Sequence, residues 1–140
     1  MTILSILLFI IFIILGLLHF SWAFGMHGGF ADALPTKEDG KRVLNPGKID
    51  SAMVGIGLTA FGFFYLIKSE LVANILPEWI IKYGSWIIPS IFILRSIGEF
   101  RYVGFFKKIK KTRFATLDTK FYSPLCLGLG IIGLIIEIMK

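Results

Sequence analysis

Residues that build disulfide bonds, metal sites and haem sites are scarce in this sequence of 140 residues. Its single cysteine, Cys126, excludes a disulfide bond within the chain. The only histidines are His19 and His27, and Gly25 is expected to interrupt the helix between them. Because protein zinc sites use three or four nitrogen, sulfur or carboxylate ligands, the sequence predicts no metal site, no haem and no other cofactor.

Sequence motifs of common enzymes are missing as well. The chain has no Gly-x-Ser-x-Gly, no phosphate-binding loop and no His-Glu-x-x-His. Two carboxylates, Glu99 and Asp118, are candidates for acid–base chemistry, but no nucleophile or set of metal ligands accompanies them in the sequence. The sequence leaves open whether the protein is an enzyme.

Charged residues are also few, and long apolar runs take their place. Only 17% of the residues are charged, against roughly 25% in an average soluble domain, and 56% are hydrophobic. The apolar residues form four blocks, at about residues 3–24, 49–67, 79–98 and 121–139. A helix needs about 20 apolar residues to cross a bilayer. We therefore predict an all-α fold, a polytopic membrane protein whose single domain (1–140) is a bundle of four transmembrane helices.

The first block has a competing interpretation as a secretory signal peptide, because Ala31-Asp32-Ala33 loosely resembles a cleavage site. A signal peptide has a basic start and an apolar core of about 7–15 residues. This N-terminus has no lysine or arginine, and its apolar core is longer. The pattern favours a retained membrane span.

The distribution of basic residues predicts the orientation in the membrane. Four lysines and arginines lie in loop 25–48 and seven in loop 99–120, against three (Lys68, Lys82 and Lys140) on the opposite side. Cytoplasmic loops are enriched in lysine and arginine. We therefore expect both loops to face the cytoplasm and both termini to lie outside.

The basic run Lys107–Arg113 is expected to contact anionic lipid headgroups. Phe105, Phe106, Ile109 and Phe114 interleave with its charges, as in a short interfacial helix. The basic residues that give the net charge of +6 lie next to the spans, so we expect no nucleic-acid binding.

Ionisable residues within the spans are the main candidates for a functional site. Arginine at the centre of a span costs about 2.5–3.5 kcal/mol on the milder scale, and such residues often mark sites. Arg95 lies 16 residues after Trp79, and His19 lies 16 residues after Ile3. Each is therefore about 24 Å along its helix. We predict one polar, ligand-binding cluster near the cytoplasmic surface: His19, Trp22, Arg95, Glu99, Arg101, Asp118 and Tyr122.

Structural alternatives exist for each of these residues. Arg95 can extend to the headgroups and pair with Glu99, four residues later on the same helix face. His19 can bond a backbone carbonyl between helices. Trp22 can anchor the helix at the membrane interface. The residue pattern leaves these alternatives open.

Smaller features predict helix packing and helix ends. Ser123 and Pro124 are expected to open the fourth span, because a serine cap followed by proline favours a helix start. Glu137 is expected to be hydrated near the outer end. Small residues should let helices approach closely in the second span (Ser51, Gly55, Thr59 and Gly62) and in the fourth (Gly128, Gly130 and Gly133).

Two stretches, HFSWAFGMHGG at 19–29 and LRSIGEFRYVGFFKKIKKTRFATLDTKFYSPLCLGLG at 94–130, resemble a domain-of-unknown-function family of small four-span bacterial membrane proteins. The family usually has a close pair of glycines after the tryptophan, whereas here Met26 and His27 come first. The resemblance implies a bacterial cytoplasmic membrane. It implies no activity.

Three functional hypotheses follow from the sequence. The first is binding or transport of a small anionic or amphipathic molecule, and a transporter of only four spans would be expected to form a homodimer. The second is a structural or accessory membrane protein whose charged motif stabilises the bundle or docks a helix of a partner protein. The third is a membrane enzyme that acts on a lipid or quinone-like substrate.

Overall fold

The computed structural model describes residues 2–26, 28, 30–39, 41–43 and 47–139. The described residues form four long helices and no strand, which confirms the predicted all-α fold. We label the helices α1 (Thr2–Ala23), α2 (Lys48–Lys68), α3 (Glu78–Ile97) and α4 (Arg113–Ile138). Each is long and apolar enough to cross a membrane. The protein is therefore an integral membrane protein built as a four-helix bundle.

The fourth helix begins at Arg113, eight residues before the predicted start of the span at 121. Its N-cap is Thr112, whose Oγ1 accepts a hydrogen bond from the Ala115 N–H at 3.0 Å. Ser123 and Pro124 open the α-helical segment Ser123–Ile138, with the proline in its first turn as predicted, but Ser123 does not cap it and the segment continues the helix that begins at Arg113. A π-helical segment, Asp118–Tyr122, precedes them, and the Ser123 N–H donates to the Asp118 carbonyl five residues back. This wider turn comes just before Pro124, which has no N–H for a helical hydrogen bond.

The chain between α3 and α4 contains no helix. Residues 98–112 form bends and turns, so the short interfacial helix predicted there is wrong except for Phe114, which belongs to α4. The reason is local, because Gly98 and Gly104 adopt φ values of +88° and +91°. Such values fold the chain back on itself and end a helix.

The bundle consists of two helix pairs, each formed by helices adjacent in the sequence. α1 packs most extensively on α2, and α3 packs most extensively on α4. The two pairs meet through smaller α1–α4 and α2–α3 contacts. Phe12 lies at the centre of the core, with its ring centroid 5.2 Å from that of Phe92 and 5.9 Å from that of Tyr65.

Small residues set the closest approaches within each pair, as predicted. A Cβ on Gly16 would lie 2.6 Å from Thr59 Oγ1 and 3.2 Å from the Gly55 carbonyl oxygen, so α1 and α2 nearly touch at their backbones. A Cβ on Gly130 would lie 2.4 Å from Ile93 Cγ1 and 2.9 Å from the Pro89 carbonyl oxygen on α3. Gly128 differs, because its position is open.

Gly130→Ala should therefore destabilise the bundle, by about 1–3 kcal/mol, because the added methyl group must push α3 and α4 apart. Gly128→Ala is the matched control, since it adds the same methyl group to the same helix with no atom within 4 Å. Thermal unfolding in detergent measures both variants. Equal unfolding midpoints for the two variants would show that α3 and α4 do not pack closely at Gly130.

Candidate functional site

The carboxylate of Asp118 lies at the centre of a buried ion cluster at the start of α4. Asp118 is 0% exposed. Its Oδ1 accepts a hydrogen bond from Arg95 Nη2 at 2.9 Å, and its Oδ2 lies 3.2 Å from Lys107 Nζ. The Gly104 N–H also donates to Oδ2, at 2.7 Å. The carboxylate thus joins the end of α3, the 98–112 segment and α4.

Lys107 is turned into the protein. It is 2% exposed, and its ammonium donates to the Gly104 carbonyl at 2.9 Å and to Thr119 Oγ1 at 2.5 Å. The prediction that this lysine contacts lipid headgroups is wrong, because the Asp118 carboxylate and two further oxygens replace its water shell. A burial of this kind is tolerated only when the charge is paired and hydrogen-bonded.

Two glycines let the chain reach this arrangement. A Cβ on Gly98 would lie 1.8 Å from the Val103 carbonyl oxygen, and a Cβ on Gly104 would lie 2.3 Å from the Ile97 carbonyl oxygen. The Phe105 N–H donates to the Ser96 carbonyl at 2.8 Å. The segment therefore folds tightly against the end of α3 and carries Lys107 to Asp118.

Glu99 does not pair with Arg95, so that alternative is wrong. Its Oε1 accepts hydrogen bonds from the backbone N–H groups of Arg101 and Val103, both at 3.1 Å, and from that of Tyr102. These amides have no helical partner once α3 ends, and the carboxylate satisfies them. Arg101 is exposed and lies over the Tyr102 ring, with its guanidinium carbon 5.1 Å from the ring centroid.

Of the two terminal nitrogens of Arg95, only Nη2 makes a hydrogen bond with the described residues. Its side chain is 32% exposed, and Nη2 bonds Asp118. Its Nη1 is buried and makes no hydrogen bond within the described part of the chain. With Lys107 included, two cations face one carboxylate, so the cluster carries one excess positive charge.

Tyr122 contacts a different partner, the loop between α1 and α2. Its hydroxyl donates to the Asp32 carbonyl at 3.1 Å. The Asp32 carboxylate pairs in a bidentate manner with Arg113, with distances of 2.6 Å to Nε and 3.3 Å to Nη2. Sequence reasoning missed Asp32, because 81 residues separate it from Arg113 and no local pattern connects them.

His19 and Trp22 line a separate cavity of about 190 Å³. His19 Nδ1 bonds the Leu15 carbonyl at 2.8 Å, within its own helix, and Trp22 Nε1 donates to the Gly28 carbonyl at 2.8 Å. The ring centroids of His19 and Trp22 are 4.7 Å apart, and those of Trp22 and Phe30 are 5.5 Å apart. The full lining comprises His19, Trp22, Phe30, Ala33, Leu34, Asp50, Ser51 and Val54.

The seven predicted site residues are thus divided among several local arrangements. Arg95 and Asp118 bond directly to each other, and His19 and Trp22 contact each other. Tyr122 bonds the α1–α2 loop, and the remaining residues, Glu99 and Arg101, lie in the 98–112 segment.

A second buried ion pair lies at the opposite end of the bundle, where α2 and α4 end. Lys68 Nζ donates to Glu137 Oε2 at 2.8 Å, and their side chains are 9% and 4% exposed. The expectation that Glu137 is hydrated is wrong, because Lys68 from the other helix pair covers it. In the described part of the chain, no three His, Cys, Asp or Glu residues come together in a group that could hold a metal ion.

Asp118→Asn should destabilise the protein by about 3–5 kcal/mol, because it removes the counter-charge of the buried Lys107. Asp32→Asn is the matched control, since it breaks a pair in which Arg113 is 75% exposed, and such pairs add little to stability. Denaturant or thermal unfolding in detergent compares the two. A control as unstable as Asp118→Asn would contradict a special role for the buried cluster.

Comparison with known proteins gives one match. Neither a curated protein nor a solved structure matches the chain. A family model described as "Protein of unknown function (DUF3995)" matches residues 12–133. The match includes α2, α3 and the Asp118 cluster, along with most of α1 and α4. The chain therefore belongs to the DUF3995 family, as the sequence motifs at 19–29 and 94–130 suggested.

Proposed function

We propose that this integral membrane protein binds a small amphipathic molecule in the cavity lined by His19, Trp22 and Phe30, which we call the His19 cavity. The observation that carries the proposal is its lining, three aromatic or imidazole rings beside a carboxylate. Ligand sites typically combine apolar walls with a few placed polar groups. A cavity of about 190 Å³ holds a head group, with the rest of the molecule extending into lipid.

The polar groups of the His19 cavity are mainly acceptors. A carbonyl oxygen only accepts, so the proton on His19 lies on Nδ1, where it bonds the Leu15 carbonyl. In the neutral tautomer that carries this proton, Nε2 is an acceptor. Asp50 adds a carboxylate, whose Oδ2 also accepts from the Gly47 N–H at 2.8 Å, and Ser51 adds a hydroxyl.

This chemistry favours a cationic or neutral head group over an anionic one. Asp50 is the one acidic residue among the described lining residues, which include no lysine or arginine. Aromatic faces attract cations, and Phe30 already has the Arg42 guanidinium carbon 5.4 Å from its centroid. The arginines expected to attract an anion are engaged elsewhere, Arg95 with Asp118 and Arg101 over Tyr102.

A structural role is the second candidate, and the Asp118 cluster favours it. Arg95 and Lys107 both pair with the buried carboxylate of Asp118. In this proposal the cluster holds the 98–112 segment in place, and the exposed lysines of that segment, Lys108 and Lys110, contact anionic lipid headgroups.

We further propose that the protein lies in a bacterial cytoplasmic membrane with loops 25–48 and 99–120 on the cytoplasmic side. The excess of basic residues in these loops supports this orientation. Cysteine labelling tests it, because Cys126→Ser removes the single native thiol. In that background, a membrane-impermeant maleimide added to intact cells should label Leu71→Cys and leave Lys110→Cys unlabelled until the cells are opened. The reverse pattern would overturn the orientation.

Ligand binding is tested with three amphiphiles that share one chain and differ in head group: dodecylamine, dodecanol and dodecanoate. Native mass spectrometry of the purified protein should show one equivalent of the amine bound more tightly than the acid. Trp22→Leu should weaken amine binding by about tenfold, which is about 1.4 kcal/mol and within the range of a desolvated cation–π contact.

Phe24→Ala is the control, because Phe24 lies near Trp22 in the sequence but is 84% exposed. It should bind the amine as the wild type does. Equal binding of all three amphiphiles, or equal loss in Trp22→Leu and Phe24→Ala, would overturn the proposed site.

A further inference from the structure

The buried pair of Lys68 and Glu137 connects the two helix pairs at the end of the bundle where α1 and α3 begin. Lys68 belongs to α2 and Glu137 to α4, and their 2.8 Å contact is almost fully buried. Both residues lie near the end of an apolar helix, yet their side chains are almost fully buried, which is costly for charged groups. Such a pair in a membrane protein is a candidate functional site by its energetic cost alone.

Two cavities flank this ion pair. One, the Lys68 cavity, measures about 630 Å³ and is bounded by residues of all four helices, including Thr2, Ile81 and Ile136. The other measures about 600 Å³ and includes Glu137 in its lining. The two cavities share Asn74 and Ile81. Both volumes fall in the usual range for small-molecule sites, about 300–1,000 Å³, and sites between the helices of a bundle are common.

The Lys68 cavity presents both signs of charge. An ammonium has three donors, and Glu137 takes one of those of Lys68. Glu70 lines the same cavity two residues further on, in a backbone conformation with φ of +66° that non-glycine residues rarely adopt. One cavity is thus lined by a lysine and a glutamate. This arrangement matches a ligand that itself carries both charges.

The aromatic lining of the neighbouring cavity indicates that such a ligand enters from the membrane interface. Trp79, Tyr83 and Trp86 line it, and tryptophan and tyrosine are enriched at the level of lipid headgroups. The three side chains are exposed on α3. A ligand that enters along this aromatic wall reaches the ion pair from the membrane interface.

We propose that the Lys68 cavity binds a zwitterion made of a phosphate and a primary amine, the chemistry of an aminophospholipid head group. The phosphate accepts hydrogen bonds from the Lys68 ammonium, and the amine donates to the Glu70 carboxylate. The same chemistry exists in free phosphoethanolamine. This site is independent of the His19 cavity, which has a different lining at the other end of α1.

Native mass spectrometry tests the proposal with three probes: phosphatidylethanolamine, phosphatidylglycerol with the same acyl chains, and free phosphoethanolamine. The wild type should retain one equivalent of phosphatidylethanolamine in preference to phosphatidylglycerol, which has no amine. Retention of the lipid alone identifies the membrane as the source. Binding of free phosphoethanolamine as well shows that the head group suffices, and binding of the free compound alone identifies a soluble source.

A variant that fills the cavity and a variant that removes its buried charges test where the lipid binds. Ile81→Trp fills the space that both cavities share and should lower binding at least tenfold. Ile87→Trp is the matched control on the lipid-facing side of α3, where Ile87 is 56% exposed, and should bind normally. The double variant Lys68→Met with Glu137→Met removes both charges together, which avoids leaving one buried charge unpaired. It should lower the binding of both phospholipids at least tenfold, because both carry the phosphate that Lys68 binds.

Thermal unfolding confirms that each variant is folded before its binding is compared. The proposal is overturned if the wild type shows no preference for phosphatidylethanolamine and no binding of phosphoethanolamine, or if Ile81→Trp and the double variant bind as the control does. Trp22→Leu should leave this binding unchanged, so failure here is distinguishable from failure of the His19 cavity.

Discussion

One buried carboxylate determines how the second half of the chain is arranged. Asp118 receives Arg95 from α3, and Lys107 and the Gly104 N–H from the connecting segment. Removing two cations and an anion from water is costly, and the interactions among them offset this cost only when the geometry is closely matched. The tight turns at Gly98 and Gly104 supply that geometry. The segment between α3 and α4 therefore has a defined fold without regular secondary structure.

Hydropathy was enough to predict the four helices, and it failed where polar residues continue a helix. The first three spans agree with the structure to within about two residues. Hydropathy does not predict the start of α4, because the charged residues Arg113, Asp118 and Lys120 lower the mean hydropathy of this stretch to a value typical of a loop. The residue that marks the observed start is the N-cap, Thr112. A single capping residue is a weak signal beside the charged residues that follow it, which lower the hydropathy of this stretch.

The candidate site shows a different limit of sequence reasoning. Helix depth can be counted along the sequence, but the direction of a side chain around the helix axis depends on tertiary packing. Lys107 looks like Lys108 and Lys110 in the sequence, yet Lys107 alone of the three is buried. Glu99 is well spaced to pair with Arg95, but three backbone amides are closer once the helix ends. No local sequence pattern predicts a long-range pair such as Asp32 and Arg113.

The division into two helix pairs has a consequence for how the protein is made. Each pair consists of helices that follow one another in the chain, so its contacts can form as soon as the second helix of the pair has been synthesised. The first hairpin contains most of its packing partners before α3 has been synthesised. Asp118, Arg113 and Glu137 all belong to the last helix, and they supply the ion pairs to α3, the first loop and α2. Assembly of the whole bundle is thus completed by the arrival of α4, because the described residues of a ribosome-bound chain that lacks α4 form no ion pair between the first hairpin and α3.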